Sequence, residues 1–234
     1  MVKQFQYDVM KICLLAGKIL LKNGAETYRV EDTMLRIAAA FGITKCDSFV
    51  IPTGIIFSIE TEKDDHTKLV RVSHRTTDLL KVTQVNRVSR EITEGKLSTN
   101  AAYELLQEIE AAPIGFSLKM QLLAASLASA CFVIMFNGSW IDFLPALVTG
   151  GLGFLSFLAI NSLVSIKFVS EFLAAVVIGL VSFFLIQLGF GYEIDKIIIG
   201  SVMPLVPGLL ITNAVRDLMA GHLVSSLSKG AEAF

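Results

Sequence analysis

Apolar positions recur with two different rhythms in the first half of the chain. Val9, Ile12, Ala16, Ile19 and Leu20 fall near a 3.6-residue period, which predicts a helix over about Tyr7–Leu21, stopped by Asn23-Gly24. Val30, Met34, Ile37 and Phe41 form the stripe of a second helix closed by Gly42, with Arg29, Asp32 and Arg36 on its polar side. The period then changes to two. Ser48–Ile51, Gly54–Thr61 (with Ile55, Phe57 and Ile59 on one face) and Lys68–Ser73, after a Lys63-Asp64-Asp65 turn, read as short strands. Two more helices follow, about Thr77–Ile92 and Thr99–Ala111. Gly95 separates them, Ser98 or Thr99 caps the second, and Pro113 stops it. The expectation for residues 1–112 is an α+β domain.

Beyond Pro113 the rhythm gives way to apolar runs at about Met120–Phe136, Phe143–Ile160, Phe172–Phe190 and Ile197–Ile211. The first three approach the roughly 20 residues that cross about 30 Å of hydrocarbon. Helices are the expected spanning elements, because lipid offers backbone groups no partners. The predicted fold class is therefore a multi-pass α-helical membrane protein with an N-terminal α+β cytosolic domain. Residues 113–234 make the transmembrane domain, with about four spans (120–136, 143–160, 172–190 and 197–211).

Charge sharpens the division. Of 41 Lys, Arg, Asp and Glu residues, 31 lie at or before Lys119 and ten follow. A water-soluble core needs a charged shell, and the second half lacks one. If the N-terminal domain is cytosolic, Lys119, Lys167, Arg216 and Lys229 fall on the cytosolic side and Lys196 alone outside, the bias of the positive-inside rule. The net charge of −1 and the absence of a basic stripe argue against nucleic-acid binding. Cys13, Cys46 and Cys131 and the three histidines have no ligand spacing, so no metal or other cofactor is expected. No phosphate-binding glycine loop and no nucleophile elbow occur, so neither ATP-driven transport by this chain nor enzymatic activity is expected.

Candidate chemistry concentrates late in the chain. In Gly200-Ser-Val-Met-Pro-Leu-Val-Pro-Gly, Pro204 and Pro207 remove helical donors and crowd the carbonyls of Gly200 and Met203. A span broken in this way exposes backbone polar groups, which transporters use to bind substrates and ions. Thr212, Asn213, Arg216 and Asp217 follow. The pairs 212/216 and 213/217 each share a helical face. Arg216 can hold a carboxylate by two parallel hydrogen bonds, and Asp217 can pair with Arg216, bind an ammonium or carry a proton. The plainer reading is a proline kink followed by an interfacial Arg–Asp cap. Glu171, beside Lys167 at the start of the third run, is either a functional intramembrane carboxylate or half of an interfacial ion pair. Glu26 opens the second helix, with Arg29 and Thr33 on the following turns. That cluster either caps the helix or faces the membrane domain.

Three stretches resemble the threonine/serine exporter family. They are Gly24-Ala-Glu-Thr-Tyr-Arg-Val-Glu, then Arg75…Leu79…Val85-Asn86-Arg87…Ser89-Arg90, and most specifically Leu205-Val-Pro-Gly-Leu…Thr-Asn-Ala-Val-Arg-Asp-Leu. The resemblance covers nearly the whole chain. It implies a secondary exporter of small carboxylate-bearing metabolites, most often threonine or serine, in the bacterial plasma membrane. It marks Pro207, Gly208, Thr212, Asn213, Arg216 and Asp217 as substrate-binding candidates, with Glu26, Thr27 and Arg29 second. The family also has split members, in which a chain like this one works with a small separate membrane protein, and one such pair resembles a succinate exporter. A partner of that kind is therefore expected, with homo-oligomerisation left open. The family usually continues into another span after a Glu-Ala stretch, so an end at Phe234 implies a missing final span or a shortened member. A non-transporting regulatory subunit, and a membrane-anchored hydrolase resting on Ser73, His74 and Asp78, are the other classes.

Overall fold

The computed structural model describes residues 2–60, 65–73, 75–113, 115–164 and 166–233. It divides into two compact units, Met1–Gly115 with Pro207–Phe234 and Phe116–Val206. The last 28 residues, expected with the membrane half, therefore group with the N-terminal domain.

The first unit is built on α1 (Val2–Lys22), which packs against α2 (Thr27–Ala40), α3 (Leu79–Thr93), α4 (Thr99–Ala111) and the sheet. α1 begins a turn and a half before the expected Tyr7. Its stripe of Val9, Ile12, Ala16, Ile19 and Leu20 is fully buried, and each large side chain there contributes on the order of 1.5–3 kcal/mol. The strands β1 (Cys46–Ile51), β2 (Gly54–Ile59) and β3 (His66–Arg71) form an antiparallel sheet in the order β1-β2-β3. β2 turns Ile55, Phe57 and Ile59 into the core, as the period of two requires. β3 starts and ends two residues before the expected strand. Of the expected segments, Thr61 and most of the Lys63-Asp64-Asp65 turn lie outside the described residues. Asp78 caps α3, its carboxylate accepting from the amides of Leu80 and Lys81, and Ser98 caps α4 by accepting from the amide of Ala101.

The second unit is a pack of α5 (Leu118–Met135), α6 (Phe143–Val164), α7 (Lys167–Gln187) and α8 (Ile194–Val202), followed by a 3-10 turn at Met203–Leu205. α5, α6 and α7 are long and apolar enough to cross a membrane. The fourth expected run, Ile197–Ile211, does not form one helix. It breaks at Val206-Pro207, and α9 (Gly208–Met219) starts anew. Proline supplies no amide and crowds the preceding turn, so the break falls where the sequence places Pro204 and Pro207. The Met203 carbonyl is not left free, because the Val206 amide donates to it at 3.2 Å.

Small residues let α5 and α6 approach closely. A Cβ at Gly150 would sit 2.0 Å from Ser129 Oγ, and one at Gly151 would sit 2.4 Å from Ser126 Oγ. The loops at one end of this pack meet at Asp142, which is fully buried. Its Oδ1 accepts from the amides of Tyr192 at 2.6 Å and Glu193 at 3.3 Å. Gly191, at φ +98°, permits this approach, since a Cβ there would lie 2.9 Å from the same oxygen.

Candidate functional site

After α9 the chain folds back as α10 (Leu223–Ala233), and the hairpin belongs to the first unit. α9 has two faces. Asn213, Ala214 and Asp217 are buried, whereas Thr212 and Arg216 lie on the exposed side. The face-sharing pairs 213/217 and 212/216 are thus separated by the helical geometry that the four-residue spacing prescribes.

The inward pair meets the start of α2. Asn213 Nδ2 donates to the Gly24 carbonyl at 2.8 Å. Asp217 Oδ1 accepts from the Thr27 amide at 2.9 Å, and its Oδ2 accepts from Thr27 Oγ1 at 2.8 Å. The first amides of a helix have no partner within the helix, and its N-terminus carries a partial positive charge. Glu26, in the capping position, makes no side-chain cap. A carboxylate from 190 residues along the chain takes that role.

Lys229 of α10 completes the arrangement. Its ammonium donates to Asp217 Oδ2 at 2.7 Å and to Thr27 Oγ1 at 3.0 Å, and both charged side chains are almost fully buried. A buried ion pair is tolerable when its remaining hydrogen-bonding groups are also satisfied, and Asp217 accepts three bonds here. Beside it, buried Glu26 receives Arg216 Nη1 at 2.5 Å on one oxygen and Arg29 Nη1 at 3.3 Å on the other. Burial pushes the Glu26 carboxyl up. Its backbone hydrogen bonding and the two guanidinium groups outweigh that and hold its pKa below the ordinary carboxylate value. The Arg216 side chain is 60% exposed although its Nη1 is held by Glu26.

The comparisons with known proteins bear on this same stretch. The family model for ThrE, the threonine/serine exporters, matches residues 11–234. This chain belongs to the threonine/serine exporter family. A "Probable succinate transporter subunit YjjP" of Klebsiella aerogenes is 26% identical over 98% of this chain and 88% of its own length. The "Threonine/serine exporter" of Corynebacterium glutamicum is 23% identical over 94% of this chain and 47% of its own length. A "Probable threonine/serine exporter" of Mycobacterium tuberculosis is 21% identical, with 96% and 43% covered. The chain thus spans less than half of those two exporters. No solved structure matches.

Of the residues that the exporter resemblance marks, the structure brings Glu26, Thr27, Arg29, Asn213, Arg216 and Asp217 together. Thr212 points elsewhere, its hydroxyl donating to the carbonyls of Gly208 and Leu209 within its own helix. Pro207 and Gly208 set the start of α9 and make no contact with the cluster among those described. Glu171 is in the second unit, 3.5 Å from Lys167 one turn before it, an ion pair that their spacing allows.

Two residues escaped the sequence reading. Lys229 was only a positive charge near the end. The spacing of Ser225, Ser226 and Lys229 did signal a polar helical stripe, and all three are buried. Asp142 stood as an isolated acid ahead of an apolar run, the place where a cap or an intramembrane carboxylate is expected.

Proposed function

We propose that this chain is a subunit of a secondary exporter of small carboxylate-bearing metabolites in a bacterial plasma membrane. Threonine and serine are its first substrate class, and succinate or another dicarboxylate the alternative. It works with a separate small membrane protein of the same family, and its N-terminal domain faces the cytosol. Family membership supports export, and the name "subunit" carried by a relative supports the partner. The placement of Lys119 and Lys167 against Lys196 supports the orientation.

The observation that carries the reading is the state of Arg216. A side chain more than half exposed is paired with the buried carboxylate of Glu26, next along the chain from Thr27, which binds Asp217 one residue after Arg216. Glu26 would occupy the position of a substrate carboxylate, and Arg29 at 3.3 Å would remain on Glu26 when a substrate took its place on Arg216. Arg216 would then read the carboxylate common to threonine, serine and succinate. Asp217 and Lys229 hold the frame.

Inside-out vesicles from cells expressing the chain, supplied with labelled threonine, serine or succinate in the medium, test this by uptake into the lumen. Arg216→Ala is expected to abolish transport of the substrate that wild type carries, with Arg216→Lys intermediate because a lysine offers no bidentate fork. Transport by Arg216→Ala at the wild-type rate would refute the assignment. The second reading, a regulatory subunit that does not itself touch substrate, is favoured by the complete burial of Asp217. It predicts that Arg216→Ala changes the rate without changing the ranking of the three acids.

A further inference from the structure

The hairpin α9–α10 is folded inside out. On α9 the buried side includes Asn213 and Asp217, and on α10 it is Ser225, Ser226 and Lys229. The side turned away from the domain carries Val215, Leu218 and Met219 on α9 and Leu223, Val224 and Leu227 on α10. All six are at least half exposed, Met219 at 83% and Leu227 at 73%. Phe49 of β1, also exposed, shares a groove with Leu223 and Val224 and extends the same face. Among the described residues, side-chain hydrogen bonds and ion pairs tie the hairpin to the rest of its unit, joining Asn213 to Gly24, Arg216 to Glu26, Asp217 and Lys229 to Thr27, His222 to Glu31, Ser225 to Val50, and Glu232 to Arg75.

A helical hairpin in water buries its apolar side and solvates its polar one. This one does the reverse, so water is not the medium that meets its outer face. From Ile211 to Ser228, Arg216 is the only charged residue at an outward position, and its guanidinium turns back to Glu26. Apart from Arg216, at one edge, the six apolar side chains of this face offer no directional bond to a partner, and an apolar fluid satisfies them. Its position in the chain indicates which fluid. Only Val206 and Pro207 separate α9 from Ile194–Leu205, and the two segments together have the length and hydropathy of a broken membrane span.

We propose that the outer face of the α9–α10 hairpin rests in the acyl region of the bilayer, with its polar face clamped to the N-terminal domain. The hairpin is then an adaptor between lipid and domain. Interfacial helices ordinarily turn their polar side to water, and here a protein domain replaces the water. The inference rests on the reading of this chain as membrane-spanning but not on any substrate.

The single tryptophan, Trp140, makes the test direct. In a Trp140→Phe background, Met219→Trp and Leu227→Trp report the two helices. Leu180→Trp on the outside of α7 is the lipid control, and Lys96→Trp on the surface of the domain is the water control. The full chain is reconstituted in phosphatidylcholine–phosphatidylglycerol vesicles, with and without acyl-brominated phosphatidylcholine, and separately exposed to aqueous iodide. Met219→Trp and Leu227→Trp are expected to lose emission to the brominated lipid to the same extent as Leu180→Trp and to resist iodide. Quenching by iodide as strong as at Lys96→Trp overturns the proposal. So does silence to both quenchers, which places protein on the face, whether a second copy or a partner. Failure of Leu180→Trp to respond to brominated lipid instead overturns the membrane-spanning reading itself. Should Met219→Trp misfold, Val224→Trp probes the same face.

Discussion

Lys229→Met removes one charge from a pair held away from water. The two side chains are 3% and 0% exposed, and the ammonium lies 2.7 Å from Asp217 Oδ2 and 3.0 Å from Thr27 Oγ1. Methionine keeps the aliphatic stem, so the loss is electrostatic rather than a cavity. Breaking a buried pair by removing one partner costs about 3–5 kcal/mol, because the remaining charge stays buried without compensation. Asp217 retains two bonds from Thr27, which places the expected loss near the lower figure, about 3 kcal/mol. At roughly 2–4 °C per kcal/mol for a unit of about 150 residues, the midpoint falls by roughly 6–12 °C. Cys13 is a built-in reporter. It is fully buried in α1, and burial raises its thiol pKa, so it does not react until the unit opens. With Cys46 and Cys131 replaced by serine, a thiol-reactive dye in detergent reads the melting of this unit alone. The decisive comparison is the double variant Asp217→Asn/Lys229→Met. An asparagine can still accept from the Thr27 amide and can donate to the hydroxyl oxygen that Lys229 no longer occupies. The pair is then neutral and satisfied. Recovery of all but about 1 kcal/mol is expected, the remainder being the lost interaction of a full charge with the α2 N-terminus. A Lys229→Met midpoint within a degree of wild type refutes the reasoning, and so does a double variant that shows no recovery.

Gly150→Ala would drive a methyl into Ser129 and is expected to cost about 1–3 kcal/mol in the detergent stability of the α5–α6 pair. Ser129→Gly in the same chain should restore most of it, whereas an unaltered Gly150→Ala midpoint would mean the helices are not that close. Gly191→Ala combines a backbone at φ +98° with a Cβ 2.9 Å from Asp142 Oδ1, so a loss of at least about 1–2 kcal/mol is expected. Asp142→Asn, which keeps an acceptor for the Tyr192 and Glu193 amides, should be milder than Asp142→Ala by thermal melting. The pKa of Glu26 is held below its ordinary value, so its ionised form favours the folded unit. That contribution is full above the unfolded carboxyl's pKa of about 4.3 and is lost as pH falls through the lower folded value. Hydrogen exchange of the α9 amides should therefore accelerate as pH falls below about 4 beyond the intrinsic trend. Glu26→Gln should lack that step, and a wild-type protein without it would contradict the Arg216–Glu26 pairing.

Wherever a single neighbouring phase determines the pattern, the chain's architecture was legible residue by residue. The 3.6-residue stripe of Val9 to Leu20, the alternation of Ile55, Phe57 and Ile59, the capping of α4 by Ser98 and the long apolar runs all follow from local periodicity, which is a property of a few neighbouring residues. The break after Leu205 was legible for the same reason, since proline acts on its own turn. Pairings across the chain were not. That Asp217 caps α2 and binds Lys229, and that Asp142 receives amides from residues 192 and 193, depends on segments 190, 12 and about 50 positions apart in sequence. A polar residue at a helix end looks the same in one dimension whether it faces solvent or another helix. Sequence alone determined which runs are long and apolar enough to cross a membrane. Only the tertiary structure decided that the helix after the break turns its polar side to the domain, because burial is a property of the whole pack and not of the helix that is buried.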